Sequence, residues 1–347
     1  MHTLRISLVG FGVVGQGLAE LLLQKQAHIQ QEYNTNLLVV SIATGRSGFL
    51  YNPAGLDLTR LLQLVRTGQS LKAYSDCQRW DSTLAGLQAS EADVLVEVTG
   101  TNLRDAEPGL SHIRAALARG IPVVTANKGP AALASAELFA LSAKKRAPLL
   151  LESTVMAGTP VLNMIREGLA GSDILAIRGI LNGTTNYILS AMMNGHSYQE
   201  TLAEAQAAGY AEADPTADVE GFDALAKVLI LAATVFKRPL KLADVPRTGI
   251  SQITQAQVKQ AKDEGKSYKL IASLRRTPSN GLEASVEPLA LPLSDPLARV
   301  DGVLNALNIQ TDTLQEVTIV GPGAGGLQTA QGLLADLLSL AKSSHKV

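Results

Sequence analysis

From Glu212 to Lys227 the chain reads Glu-Ala-Asp-Pro-Thr-Ala-Asp-Val-Glu-Gly-Phe-Asp-Ala-Leu-Ala-Lys, placing five carboxylates and one lysine around a proline turn and a glycine. The apolar run 228–236 follows at once and is too hydrophobic for a solvated face. The helix carrying Asp223 and Lys227 is therefore expected to pack inside. Those two residues stand four apart, on one helix face, and can pair. A charged pair against a buried helix is costly unless each charge has a partner or a task. The task that suits a lysine among carboxylates is proton transfer to a reacting oxygen. The alternative is a Lys–Asp bridge that only closes the helix start.

A second constellation opens the chain. Gly10-Phe11-Gly12-Val13-Val14-Gly15 follows an apolar strand and begins a helix, the context that a dinucleotide fingerprint requires. The first glycine permits the tight turn, the second lets a pyrophosphate approach the backbone, and the third lets helix and strand pack closely. The phosphates then sit at the helix N-terminus, where free N–H groups favour an anion. A glycine-rich turn without a ligand is the competing reading. The next strand ends at Ala43-Thr44-Gly45-Arg46-Ser47, with no acidic residue to hold a ribose 2′-hydroxyl. Arg46 could instead hold a 2′-phosphate through paired hydrogen bonds, which favours NADP and leaves NAD possible. An ordinary exposed arginine would look the same.

A reduced nicotinamide delivers hydride to a carbonyl, and the alkoxide so formed needs a proton. No histidine is placed for this: His112 falls in a surface-like helix and His196 in a turn, and both read as structural. Lys227 is the first candidate. Lys128 is the second, because it follows strand 121–125 at the sheet edge where open α/β folds bind ligands. Glu212, beside the Asp214-Pro215 turn, could bind a substrate ammonium group.

The elements that must position these residues fall into two textures. The first part alternates strands (4–9, 37–43, 93–98, 121–125) with helices (13–23, 107–118), the pattern of a parallel sheet with crossover helices. It ends at 149–151, so a dinucleotide-binding domain of Rossmann type is expected over 1–150. A second domain of α+β class is expected over 151–312. It holds a strand at 174–181, a helix at 184–193, a capping box at Ser197 and Glu200, and a strand at 282–291. A strand at 313–320 and an apolar helix at 327–341 complete the chain, with 313–347 expected to return to the first domain.

Composition narrows the partners. With 347 residues, 46% hydrophobic, two domains are the natural reading. A net charge of −1 gives no electrostatic case for nucleic acid or an anionic membrane. The lone Cys77 excludes an intrachain disulfide and fits a reducing, cytoplasmic setting, and no apolar run reaches membrane-helix length.

Taken together, Asn127-Lys128, Glu152-Ser153-Thr154-Val155-Met156-Ala157-Gly158, the stretch from Gly179 through Asn182-Gly183-Thr184-Thr185-Asn186 to Ile188, and Gly209-Tyr210-Ala211-Glu212 running on to Lys227 resemble homoserine dehydrogenase. Gly321-Pro322-Gly323-Ala324-Gly325-Gly326 resembles that family's C-terminal cofactor loop. The resemblance implies NAD(P)-dependent interconversion of L-homoserine and L-aspartate 4-semialdehyde, a step toward threonine, methionine and isoleucine. It makes Lys227 the proton donor and sets Lys128 near nicotinamide and substrate. Glu212, Asp218, Asp223, Gly183 and Thr184 fall on the substrate, and Thr99, Gly100 and Gly325 on the cofactor. Glu152, Val155, Ala157 and Thr159 fall where the family binds a monovalent cation, Na⁺, largely through backbone oxygens. A homodimer formed through a sheet is implied as well. The family's appended regulatory domains are not expected here, since the sequence runs from the cofactor strand to just past the last helix. Two rivals stand beside this reading: a dehydrogenase acting on aspartate, whose imine product needs no such proton donor, and a catalytically silent dinucleotide sensor, which would not need Glu212, Asp218, Asp223 and Lys227 together.

Overall fold

The computed structural model describes residues 1–344, in two compact units: Met1–Gly158 together with the segment from Gly325, and Thr159–Ala324. The first unit runs β1 (His2–Val9), α1 (Val13–Tyr33), β2 (Thr35–Thr44), β3 (Gly48–Tyr51), α2 (Leu58–Arg66), β4 (Gln78–Trp80), α3 (Thr83–Ala89) and β5 (Val94–Glu97). It continues through α4 (Gly109–Ala118), β6 (Val123–Thr125), α5 (Lys128–Leu133), α6 (Ser135–Lys145), β7 (Leu149–Leu150) and α7 (Ser153–Met156). The second unit holds β8 (Ile174–Ile180), α8 (Gly183–Met193), α9 (Tyr198–Ala207), α10 (Thr216–Val219), α11 (Phe222–Thr234) and α12 (Gln255–Asp263). Strands β9 (Lys266–Arg276), β10 (Leu282–Pro292), β11 (Leu304–Thr311) and β12 (Glu316–Pro322) complete it, and α13 (Gly326–Ser344) belongs to the first unit. The chain thus changes units at Thr159 and at Gly325, with β12 in the second and α13 in the first.

The first sheet has the order β4-β3-β2-β1-β5-β6-β7. Strands β2, β1, β5, β6 and β7 are parallel, and β3 and β4 extend the edge antiparallel. A parallel sheet covered on both faces needs continuously apolar strands. Val94-Leu95-Val96 meets that need, with every residue of β5 buried. Residues Ala330, Leu333, Leu334, Leu337 and Leu340 recur at helical spacing along α13 and join the core formed with Leu18, Leu21 and Leu22 of α1. This is a Rossmann-type α/β unit, as the alternation of elements implied. The second unit is α+β: its five-stranded sheet, β10-β9-β8-β11-β12, is antiparallel throughout. Its strongly buried helix is α11, in which every residue from Ala224 to Ala233 is inside.

Four strands have no counterpart in the sequence reading: β3, β4, β9 and β11. The last strand begins at Glu316 rather than 313, because Thr311, Leu314 and Gln315 form the preceding turn. Helix α1 runs a further ten residues past Leu23, to a left-handed cap at Asn34. Among the described residues no helix is long and apolar enough to cross a membrane.

Candidate active site

In the first unit the glycine loop joins β1 to α1. Gly10 has φ of 106°, and a Cβ there would stand 2.5 Å from the Val98 carbonyl oxygen. A Cβ on Gly15 would stand 2.2 Å from the Gly10 carbonyl oxygen, so helix and loop could not close as they do. Gly12, the N-cap of α1, faces open space within 4 Å. No side chain caps that helix and its first turn carries no acidic residue. Its free N–H groups therefore present an anion site, with the backbone bare where a pyrophosphate would approach. The residues fit a dinucleotide. Arg46 lies exposed in the turn between β2 and β3, just past the C-terminal end of β2.

Below the loop lies a network that the sequence reading missed. Glu97 closes β5 fully buried, and its carboxylate accepts from the Thr99 amide at 3.1 Å and from the Thr99 hydroxyl. Asn127 donates from Nδ2 to Thr99 Oγ1 at 3.1 Å while its Oδ1 caps α5 by accepting from Gly129 N at 3.1 Å. Lys128 is the first residue of that helix. The Thr99–Gly100 loop and Lys128 are thus tied to one buried carboxylate. His112, read as belonging to a surface-like helix, is instead buried, with Nδ1 3.7 Å from Glu97 Oε1. The buried residues Gly109, Leu110, His112, Ile113, Ala116 and Leu117 share one broad face of α4, and His112 lies at its edge. A carboxylate ending an otherwise apolar strand was the available signal. Asp336, 1% exposed on α13, accepts from the Glu152 amide at 3.0 Å and was also missed.

The second unit holds the acid–lysine cluster. Lys227 is 5% exposed, its Nζ 2.9 Å from Asp223 Oδ2 and donating also to the Leu181 carbonyl. Asn182 donates from Nδ2 to Asp218 Oδ1 at 2.7 Å and to Asp223 Oδ2 at 3.0 Å. Burial pushes the Asp218 carboxyl above its ordinary range; Asn182's amide offsets part of this, Asp223's charge adds to it, and Thr184 and Lys227 make smaller offsets. The Thr184 hydroxyl donates to the Tyr210 carbonyl at 2.6 Å, tying the start of α8 to the segment that leads to Glu212. Gly183 is the first residue of α8, held close to the Val303 carbonyl. Asp218, Asp223, Lys227 and Thr184 are therefore brought together. The Glu212 side chain is exposed and makes no hydrogen bond or ion pair to that cluster among the described residues.

One unit holds a dinucleotide cradle and the other a buried lysine among carboxylates, the two parts that a nicotinamide-dependent oxidoreductase requires. Comparison with known proteins makes the class specific. Residues 10–152 match the family model for the homoserine dehydrogenase NAD binding domain, and residues 160–338 the model for homoserine dehydrogenase. An NAD(+)-dependent homoserine dehydrogenase of Pseudomonas canavaninivorans is 38% identical over 346 residues, covering 100% of this chain and 98% of its own. A homoserine dehydrogenase of Methanocaldococcus jannaschii is 39% identical over 342 residues, covering 98% of this chain and 99% of its own. The structure of a hyperthermophilic archaeal homoserine dehydrogenase in complex with NADPH superposes with a TM-score of 0.84 at 32% identity, covering 99% and 98% of the two chains. The chain belongs to the homoserine dehydrogenase family.

Proposed function

We propose that the protein interconverts L-homoserine and L-aspartate 4-semialdehyde with Lys227 as the proton donor and NADP as the preferred dinucleotide. The observation that carries the role of Lys227 is its placement: a buried ammonium held by Asp223 and a backbone carbonyl, within a cluster of carboxylates. The dinucleotide, when bound, supplies hydride to the aldehyde carbon or takes it back from the alcohol. In the reducing direction Lys227 gives a proton to the oxygen that becomes the hydroxyl; in the oxidising direction, neutral, it removes that proton. Lys128 lies near nicotinamide and substrate in this reading, Glu212 and Asp218 hold the amino-acid head group, and Asp223 keeps Lys227 charged and aimed. Gly183 and Thr184 shape the substrate side, while Gly10–Gly15, Thr99, Gly100 and Gly325 line the cofactor.

Arg46 supports NADP over NAD, because a guanidinium past β2 complements a 2′-phosphate where no carboxylate stands. The Pseudomonas relative is named NAD(+)-dependent, so the preference rests on Arg46 alone. Among the described residues no group of three or more His, Cys, Asp or Glu could hold a metal ion. A monovalent cation at Glu152, Val155, Ala157 and Thr159 would therefore rely on carbonyl oxygens, which suit a hard ion. Ala157 ends α7 with φ of 50° and ψ of −118°. A homodimer is supported by β12, which pairs with β11 on one side and leaves Val320 exposed. Following reduced nicotinamide with homoserine, with aspartate, and with neither, against NADP and NAD, tests the proposal. Turnover with homoserine is expected; turnover with aspartate alone, or none at all, would sink it.

A further inference from the structure

The acid–lysine cluster is assembled by two consecutive residues at the C-terminal end of β8. The Leu181 carbonyl accepts from Lys227 Nζ, and the Asn182 side chain takes both carboxylates. Asn182 is 5% exposed and sits in extended geometry as the N-cap of α8, its Oδ1 accepting from Thr185 N at 2.9 Å. That contact fixes which way the amide faces. Turned over, its oxygen would meet two carboxylates and its NH₂ a backbone N–H, so only one orientation is satisfied. The two hydrogens of Nδ2 then go one to each acid: Asp218 on α10 and Asp223 on α11. Gly221 turns the chain between those helices with φ of 79°. Asp223 Oδ2 receives both the Asn182 amide and the Lys227 ammonium, so the position of the lysine depends on the amide as well.

Resting on the reading of Lys227 as proton donor, we infer that Asn182 is a positioning residue for the reaction: a neutral double donor that locks Asp218 and Asp223 in place around the reacting lysine. Neutrality is the point. Two carboxylates and one ammonium already share the site, and a cationic bridge would compete with Lys227 for Asp223. An acidic residue would add a third negative charge. The charged groups facing Asp218 are Asp223 and Lys227, both from α11.

Two substitutions separate positioning from helix capping. Serine matches asparagine as an N-cap but is too short to span the carboxylates; aspartate keeps the cap and the size but replaces the donor with an acceptor. Asn182→Ser and Asn182→Asp are therefore expected to keep the fold, with an unchanged near-ultraviolet circular dichroism spectrum, to melt lower because two largely buried carboxylates lose their donor, and to bind NADPH with the same Kd. Both should lose kcat/KM for homoserine by about 10²-fold, the scale of a reacting group misplaced by roughly 1 Å. Asn182→Asp should also move the acidic limb of the pH profile upward, because the added charge makes neighbouring carboxyls harder to ionise. A readout free of turnover is the titration of the Asp218 and Asp223 carboxyl carbons by NMR, expected to shift upward for Asp218 in both variants. Parent-like kcat/KM in either folded variant, or an unmoved Asp218 titration, overturns the assignment. If the unmodified protein shows no turnover of homoserine, the reading of the reaction fails instead, and the NMR titration still decides whether Asn182 sets the carboxylates.

Discussion

The Lys227–Asp223 pair sets function against stability in a way a double-mutant cycle can measure. The side chains are 6% and 14% exposed with 2.9 Å between Nζ and Oδ2, so water screens them little. Removing one partner of a buried pair costs about 3–5 kcal/mol, because a desolvated charge is left behind. Here each keeps other contacts, among them the Asn182 amide for Asp223 and the Leu181 carbonyl for Lys227. Lys227→Met and Asp223→Leu should therefore fall near the lower end, about 3 kcal/mol each. The double variant should be far better than their sum, since α11 is apolar along its buried length and a buried pair replaced by hydrocarbon is often neutral, to within about 1 kcal/mol. The coupling should then exceed about 2 kcal/mol, high for residues in contact. Urea unfolding combined with hydrogen exchange at the α11 amides is the assay, because the two units need not unfold together. The double variant should be stable and inactive. Additivity to within about 0.5 kcal/mol would refute the reasoning, since it would make the pair no more than a solvated bridge along a helix.

Three further outcomes are expected. Gly15→Ala puts a Cβ 2.2 Å from the Gly10 carbonyl oxygen, so loop and helix must part; stability should fall by about 1–3 kcal/mol and the Kd for NADP(H) should rise, whereas an unchanged melt and Kd would contradict the cradle. Arg46→Ala should weaken NADP(H) by roughly 1.5–3 kcal/mol and leave NAD(H) little changed, and equal losses in a fluorescence titration would give the arginine a structural role instead. Asp218 has a folded-state pKa raised by burial, so the stability it contributes is present below its unfolded value and lost as pH rises through the folded one. Asp218→Asn can still accept from Asn182 and escapes that loss. Its Tm advantage should be absent in acid and grow as pH rises above the ordinary carboxylate value of about 4, and an advantage independent of pH would show the cause to lie elsewhere.

What was legible in the sequence divides along physical lines. The glycine loop could be read because the backbone at Gly10 and Gly15 leaves no room for a Cβ. Asp223 and Lys227 could be paired because four-residue spacing fixes a helix face, and the apolar run beyond them announced burial. Strands β9 and β11 were hidden by buried polar residues that break the apolar alternation. Lys269, wholly buried in β9, finds Asp301 Oδ1 at 2.8 Å and the Val300 carbonyl at 2.7 Å, while Asn305 and Asn308 of β11 are buried as well. Tertiary partners make such residues tolerable, and no local pattern reveals them. The same holds for Glu97, whose partners Thr99 and His112 come from a following loop and a separate helix. Asn182 lay in plain view within a motif, but its role depends on Asp218 and Asp223 arriving from residues 36 and 41 positions away. Conversely, the exposed side chain of Glu212 has no partner in the cluster among the described residues, so the cluster does not account for a carboxylate there.

The role of Lys227 is tested most directly by mixing aspartate 4-semialdehyde with NADPH-saturated Lys227→Met in a stopped-flow instrument, with folding checked by near-ultraviolet circular dichroism. NADPH should bind with the Kd of the unmodified protein, because the cradle belongs to the other unit and is untouched. Hydride transfer should slow by a factor on the order of 10²–10⁴, the contribution of a positioned general acid. A folded variant that reduces the aldehyde at the unmodified rate would contradict the account.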